Sequence, residues 1–140
     1  MGAACVCALA WCSALSCYDI RHRRLPNWLT IPGAVAILAV AAWAGRGLPA
    51  LCGAIALAGL YLVVHLVAPA AMGAGDVKLA AGVGGLTGAF GYDVWVLAAI
   101  GAPLLTGAVA LCVVRRAGTA VPHGPSMCLA SALSCALALF

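Results

Sequence analysis

Glutamate is absent from the sequence, and the acidic residues are limited to Asp19, Asp76 and Asp93. Charged residues make up 7% of the chain and hydrophobic residues 66%, with a mean hydropathy of +1.18. A soluble globular domain normally has about 25% charged residues. This shortage of charge excludes a soluble domain and predicts an integral membrane protein.

The sequence also lacks any CxxC pair, although it contains eight cysteines. All of them fall inside or at the ends of apolar segments: Cys5, Cys7, Cys12, Cys17, Cys52, Cys112, Cys128 and Cys135. Without paired CxxC units a zinc site is poorly supported, and small polarisable thiols suit packing between membrane helices. The histidines His22, His65 and His123 share no ligand spacing, so we expect them to be solvated or to pack. We therefore expect no metal and no cofactor.

Long polar segments are missing as well, so the chain divides into apolar runs separated by Pro, Gly or clusters of charge. A helix needs about 20 residues to cross a bilayer, which allows at most six spans in 140 residues. The candidate spans are 2–18, 28–45, 50–68, 76–90, 93–114 and 125–140. The sequence predicts an all-α, polytopic membrane protein in which residues 1–140 form a single membrane-embedded domain.

The few basic residues are distributed unequally between the two ends of these spans. With the N-terminus outside, the cytoplasmic segments carry Arg21, Arg23, Arg24, Lys78, Arg115 and Arg116. Only Arg46 is then external. Because Lys and Arg near span ends favour the cytoplasmic side, this distribution predicts that the N-terminus is outside. The net charge of +4 is interpreted as this topology signal plus contact with anionic lipid, without nucleic-acid binding. The first span lacks a basic n-region, so we expect it to be retained rather than removed as a signal peptide.

Two of the aspartates are predicted to lie on the same side of the membrane. Asp19 ends the first span and Asp76 opens the fourth, and the two intervening spans carry the chain across and back. Asp93 falls in the opposite loop, where a solvated position or a helix cap is expected. Ionisable groups at membrane depth are costly, so a pair of them indicates function.

Two carboxylates in a poorly solvated site tend to hold one proton between them. The ionised member can take a proton from an attacking water, while the protonated member hydrogen-bonds to a peptide carbonyl oxygen. Asp19 and Asp76 together therefore predict the chemistry of an aspartic protease.

The glycines that precede Asp76 have two interpretations. Gly73 and Gly75 permit a positive φ and leave room for an extended peptide to approach the carboxylate. The alternative is a plain glycine turn followed by an Asp helix cap. The small residues that follow, in the pairs Ala80/Gly84, Ala81/Gly85 and Gly84/Gly88, predict close approach of a neighbouring helix, for which the first helix is a candidate.

The segments "YDIRHRRLPNWLT" at 18–30 and "GAGDVKLAAGVGG" at 73–85 resemble the two signature regions of the type IV prepilin peptidases, the GxGD membrane aspartic proteases. The matching residues are Asp19, Arg21, Arg24, Leu25, Pro26 and Asn27 in the first region and Gly73, Gly75, Asp76, Val77 and Lys78 in the second. A weaker similarity is "VPHGPSMCLA" at 121–130, which is similar to the Pro-Phe-Gly-Pro segment of the family. His123 stands there in place of the usual aromatic residue.

The resemblance implies that Asp19 and Asp76 are the catalytic pair and that water is the nucleophile. It implies a plasma-membrane enzyme that cuts the leader from a prepilin or pilin-like protein at the cytoplasmic face. Substrate binding or shaping of the site then falls to Gly73, Gly75, Lys78, Arg24, Pro26 and Asn27. Many relatives carry a further cytoplasmic segment that methylates the product with S-adenosylmethionine. This chain resembles the short, peptidase-only members, so no methyl donor is expected.

Two other functions remain open from the sequence. Tyr18-Asp19 and the GxGD motif also resemble the presenilin and signal-peptide-peptidase type of intramembrane protease, although those proteins are much longer and carry a Pro-Ala-Leu motif. The other is a non-enzymatic protein, either a small transporter or a pilus-assembly subunit that uses the aspartates for protons or packing. Removal of a leader from a pilin-like precursor distinguishes these classes.

Overall fold

A computed structural model of the protein describes residues 2–70, 72–117 and 121–139, without the side chains of residues 2 and 113–117. Over these ranges the chain folds into helices alone. They are α1 (Gly2–His22), α2 (Asn27–Trp43), α3 (Gly47–Val67), α4 (Ala74–Phe90), α5 (Tyr92–Ala117) and α6 (Gly124–Leu137). Each predicted span corresponds to one helix. Arg115 and Arg116 contribute to the charge asymmetry from which the membrane orientation is predicted. Their side chains lie outside the described residues.

Proline and glycine mark several of the helix boundaries, as their backbone preferences require. Pro26 has an extended conformation with φ −73° and ψ 133°, and its carbonyl accepts the N–H groups of Leu29 and Thr30 at the start of α2. Gly45 and Gly91 have φ values of +74° and +135°, which favour glycine, and they separate α2 from α3 and α4 from α5. These turns reverse the chain after short connections and produce an up-and-down bundle.

The exposed surface of the bundle is apolar, which confirms the prediction of an all-α membrane protein. Three segments are long and apolar enough to cross a membrane: Ala3–His22, Gly47–Val67 and Tyr92–Cys112. Helix α2 and helix α6 are shorter apolar helices. Large side chains such as Trp43, which is 93% exposed, point away from the protein. Helix α4 has 17 residues and is about 25 Å long, so it is shorter than a typical hydrocarbon core.

The helices pack in two groups, and α4 makes most of the contact between them. Helices α2, α3 and α4 form one group, in which α3 and α4 make the most extensive contact of the described bundle. Helices α1, α5 and α6 form the other group. Helix α4 also packs against α5 and α6, whereas α1 makes only a small contact with α2. Asp19 therefore belongs to the α1–α5–α6 group and Asp76 to the α2–α3–α4 group.

The glycine face of α4 lies against α3, so the expectation that α1 is its neighbour is wrong for most of this face. A Cβ atom on Gly84 would lie 2.6 Å from the carbonyl oxygen of Gly53, and one on Gly88 would lie 2.7 Å from that of Pro49. Small residues on one helix predict that a backbone comes close, but they do not identify which one. Helix α1 approaches α4 at Gly82, where the side chain of Trp11 packs.

Candidate active site

Asp19 lies near the end of α1 and is 6% exposed. Its Oδ2 atom accepts a hydrogen bond from the backbone N–H of Gly124, at 3.1 Å, at the start of α6. Gly124 has to be glycine for this contact, because a Cβ at that position would lie 2.5 Å from the same oxygen. The end of α1 and the beginning of α6 are therefore joined through one carboxylate.

Asp76 is the third residue of α4 and is half-buried. Its Oδ2 atom accepts the N–H of Gly73 at 3.2 Å, and its own N–H donates to the Gly73 carbonyl at 3.0 Å. A negative charge in the first turn of a helix is also favoured by the helix dipole. This turn fixes the carboxylate at the end of α4 that faces the end of α1.

Both aspartates line the same cavity, which the structure forms from the α1–α2 loop and the GAGD segment. This loop-side cavity has a volume of about 260 Å³ and is lined by Asp19, Arg23, Arg24, Leu25, Gly73, Ala74, Gly75 and Asp76. An adjoining cavity of about 290 Å³, the His123 cavity, shares Asp19, Arg23, Gly73 and Asp76 with it. Val121, Pro122 and His123 complete its wall together with Ala70 and Met72. The carboxylates thus face a common space from two helices.

Each aspartate uses Oδ2 for its backbone hydrogen bond. Within the described residues, neither Oδ1 atom has a protein hydrogen-bond partner. A carboxylate that is oriented through one oxygen keeps the other available for a water, a substrate or a shared proton. This arrangement suits a pair of groups that exchange protons with a bound molecule.

The two sequence motifs also meet through a second contact outside the carboxylates. The Nζ atom of Lys78, in the first half of α4, donates to Oδ1 of Asn27 at 2.7 Å. Asn27 begins α2 directly after Pro26. The contact attaches the start of α2 to α4, while Arg24 lines the loop-side cavity. Lys78, Asn27 and Pro26 are not among the residues that line the two cavities, so their predicted role in shaping the site stays a prediction.

The glycines before Asp76 have ordinary backbone angles, so neither uses the positive φ that glycine permits, and the steric interpretation is the one left at Gly75. Gly73 has φ −75° and ψ 149°, and Gly75 lies within α4 outside the left-handed region. The requirement at Gly75 is one of space: a Cβ there would lie 3.0 Å from the Cβ of Leu25. Leu25 is part of the α1–α2 loop that lines the loop-side cavity. Gly75 thus lets this loop lie directly on α4.

We expect Gly75→Ala to lower the precursor cleavage that the resemblance to the prepilin peptidases implies by roughly three- to tenfold, because the added methyl displaces Leu25 and the wall of the cavity. Turnover of a precursor by the purified variant measures the effect. Gly107→Ala in α5 is the matched control, since a Cβ there meets no atom within 4 Å. Equal turnover of the two variants would contradict a role for close packing at Gly75.

Asp93 lies apart from the other two aspartates. It is exposed in the first turn of α5, which begins where α4 ends. Arg46, before α3, donates to the carbonyl of Ala89 near the end of α4 at 3.0 Å, which places the α2–α3 connection at the same end of the bundle. The structure therefore separates Asp93 from Asp19 and Asp76 by the length of α4.

The sequence predicts a solvated or packing role for His123, and the structure places it in the wall of the His123 cavity with both ring nitrogens engaged. Its Nε2 atom lies 2.9 Å from the hydroxyl of Tyr61, and its Nδ1 atom lies 2.6 Å from the hydroxyl of Thr106. The partners come from α3 and α5. The spacing of these three residues in the sequence does not predict that they meet. The sequence feature that could have indicated the contact is that both partners are polar residues within apolar helices.

Burial lowers the pKa of His123 below its usual value of 6.5. The unfolded chain therefore binds this proton at a higher pH than the folded protein does, so stability falls as the pH drops below the usual value. We expect the melting temperature of the wild type in detergent to fall more than that of His123→Leu between about pH 7.5 and about pH 5.5. A thermal-unfolding series across this range measures the difference. Parallel shifts in the two proteins would contradict the prediction.

Comparison with known families identifies the chain. A sequence profile for the type IV leader peptidase family matches residues 6–140. The chain belongs to this family. A search of curated proteins and a search of solved structures give no significant match.

The match to the leader peptidase family covers both aspartates, the GAGD segment and the His123 segment. In this leader peptidase family member, the loop-side cavity presents two carboxyl groups, a residue type that can act as a general acid or base. Among the described residues, no cluster of three or more His, Cys, Asp or Glu side chains is arranged to hold a metal ion.

Proposed function

We propose that the protein is a membrane aspartic endopeptidase that removes the leader peptide of type IV prepilin or pilin-like precursors at the cytoplasmic face of the membrane. The observation that carries this proposal is the meeting of Asp19 and Asp76, from two different helices, in one cavity of a chain in the leader peptidase family. Family membership supports a peptidase in general. The geometry supports the aspartic type.

The proposed reaction uses one proton that the two carboxylates hold between them. The ionised aspartate takes a proton from water as the water oxygen bonds to the scissile carbonyl carbon, and the protonated aspartate donates its hydrogen to the carbonyl oxygen. The tetrahedral intermediate then collapses. The C–N bond breaks as one aspartate gives its proton to the leaving nitrogen and the other takes a proton from a hydroxyl of the intermediate, which releases a carboxylic acid and an amine and restores the shared proton.

The substrate has to present an extended segment to this pair. In an α-helix each peptide carbonyl already accepts a backbone hydrogen bond, and the side chains cover the backbone. A leader sequence next to the membrane surface provides an unwound segment at the depth of the cavity. Arg23 and Arg24, both exposed at the rim, lie where this segment would pass.

The cytoplasmic location of the site is supported by charge. Arg21, Arg23 and Arg24 follow α1 and Lys78 lies in α4, at the end of the bundle that contains the two aspartates. Basic residues near the ends of spans favour the cytoplasmic side. A soluble precursor peptide added to inside-out and to right-side-out membrane vesicles tests this orientation. We expect cleavage in the inside-out vesicles alone.

Incubation of the detergent-solubilised protein with a purified pilin-like precursor tests the activity itself. We expect mass spectrometry to show a single cut that separates the leader from the mature protein, without added S-adenosylmethionine. A transmembrane substrate cut within its helix would instead favour the presenilin type of protease. If the wild-type protein cuts neither substrate, a non-enzymatic role in transport or assembly is favoured.

A further inference from the structure

His123 lies at the point where three helices meet beside the proposed catalytic pair, although the cleavage chemistry itself does not require an imidazole. It directly precedes α6, and its side chain reaches Tyr61 of α3 and Thr106 of α5. It therefore bridges the α2–α3–α4 group and the α1–α5–α6 group. A side chain that joins both groups at the cavity wall is suited to fixing their relative position.

The hydrogen-bond partners of the ring determine its tautomer. The Thr106 hydroxyl lies 3.0 Å from the carbonyl of Ala102, to which it donates its single hydrogen. Its oxygen must therefore accept from His123, so Nδ1 carries the hydrogen. In a neutral ring Nε2 is then the acceptor, and the Tyr61 hydroxyl donates to it. Both partners are satisfied by one tautomer, which fixes the rotation of the ring as well as its place.

The position of the ring determines the direction of the adjacent peptide group. The His123 carbonyl accepts the N–H of Met127 at 3.1 Å, and the Gly124 N–H of the same planar peptide donates to Asp19. Pro122 and Pro125 on either side restrict φ and leave this segment few alternative conformations. A shift of the ring would therefore turn the N–H away from the Asp19 carboxylate.

We propose that His123 is a positioning residue for Asp19: its ring, held by Tyr61 and Thr106, aims the Gly124 N–H at the carboxylate. This inference rests on the proposed function for its kinetic consequence. Loss of the hydrogen bonds to the ring leaves the substrate cavity in place but misaligns one member of the pair. The effect falls on the chemical step, so kcat decreases while KM changes little.

The first test compares two substitutions of nearly equal size. His123→Leu removes both hydrogen bonds, and His123→Asn keeps a side-chain N–H that replaces Nδ1 toward Thr106. We expect kcat of the Leu variant to fall roughly tenfold while its KM stays within about twofold of the wild-type value. We expect kcat of the Asn variant to be roughly threefold higher than that of the Leu variant. Assays run well below the melting temperature of each variant. Unchanged kcat in the Leu variant, or equal kcat in the two variants, would overturn the proposal.

A second test uses the partner of the ring. Thr106→Val preserves shape and removes the acceptor, so we expect it to lower kcat in the wild type and to have no further effect in His123→Leu. Additive losses would overturn the coupling. If the wild type already fails to cut a precursor, the proposed function fails by itself.

The amide resonance of Gly124 tests the positioning step without any cleavage. In detergent-solubilised, nitrogen-labelled protein, we expect this resonance to move upfield in both His123→Leu and Asp19→Asn, because both weaken the same hydrogen bond. A resonance that shifts with Asp19→Asn but not with His123→Leu would show that the ring does not position the N–H.

Discussion

Asp19→Asn and Asp76→Asn are each expected to lower cleavage by about 10² to 10⁴-fold, the usual contribution of a general acid or base. Asparagine has nearly the size of aspartate and can still accept the N–H of Gly124 or Gly73 through its amide oxygen. It cannot exchange the proton that the proposed mechanism requires. Initial rates on a pilin-like precursor, with membrane insertion checked in parallel, measure the loss.

Asp93→Asn is the matched control for these two variants, because Asp93 is exposed near the opposite end of α4. We expect its turnover to stay within about twofold of the wild type. Near-normal turnover in either Asp19→Asn or Asp76→Asn would contradict the two-aspartate mechanism. A large loss in Asp93→Asn would instead show that the fold itself depends on that carboxylate.

Gly124→Ala is expected to lower cleavage by about 100-fold, since a displacement of roughly 1 Å at a reacting group has effects of this size. The added Cβ would lie 2.5 Å from Oδ2 and 3.1 Å from Cγ of Asp19. Asp19 is buried, so its side chain has little room to move away without losing the N–H of Gly124. Steady-state kinetics of the purified variant measure the effect.

Gly59→Ala in α3 serves as the control for this substitution, because a Cβ at Gly59 meets no atom within 4 Å. We expect wild-type turnover from it. Melting temperatures of both variants separate a local effect on Asp19 from general destabilisation. Full activity in Gly124→Ala would show that the hydrogen bond between Gly124 and Asp19 is dispensable.

The helices and the placement of the two aspartates could be predicted because both follow from local signals. Apolar runs between Pro, Gly and charged clusters define the spans. Two spans separate the end of the first span from the start of the fourth, so both points lie on the same side of the membrane. Asp19 and Asp76 line one cavity, which agrees with their predicted placement on the same side. The chemical role of the pair is a separate proposal.

The wall of the cavity could not be predicted in the same way. His123, Tyr61 and Thr106 belong to three different segments, and their contact depends on how the helices rotate and pair. Glycine at position 75 would be required either by a positive φ or by a lack of space for a side chain, and the sequence cannot distinguish these two reasons. The structure distinguishes them, because Leu25 occupies the position that a side chain would need.

The two packing groups have a mechanical consequence for the protein in its bilayer. Asp19 and Asp76 belong to different groups, so a small rotation of one group against the other changes the separation of the carboxylates. The backbone contacts of Gly84 and Gly88 with α3 make the α2–α3–α4 group stiff, and α1 has only a small contact with α2. We expect lateral pressure and bilayer thickness to act where α1 meets α2, so that the separation of the two carboxylates responds to the physical state of the surrounding lipid.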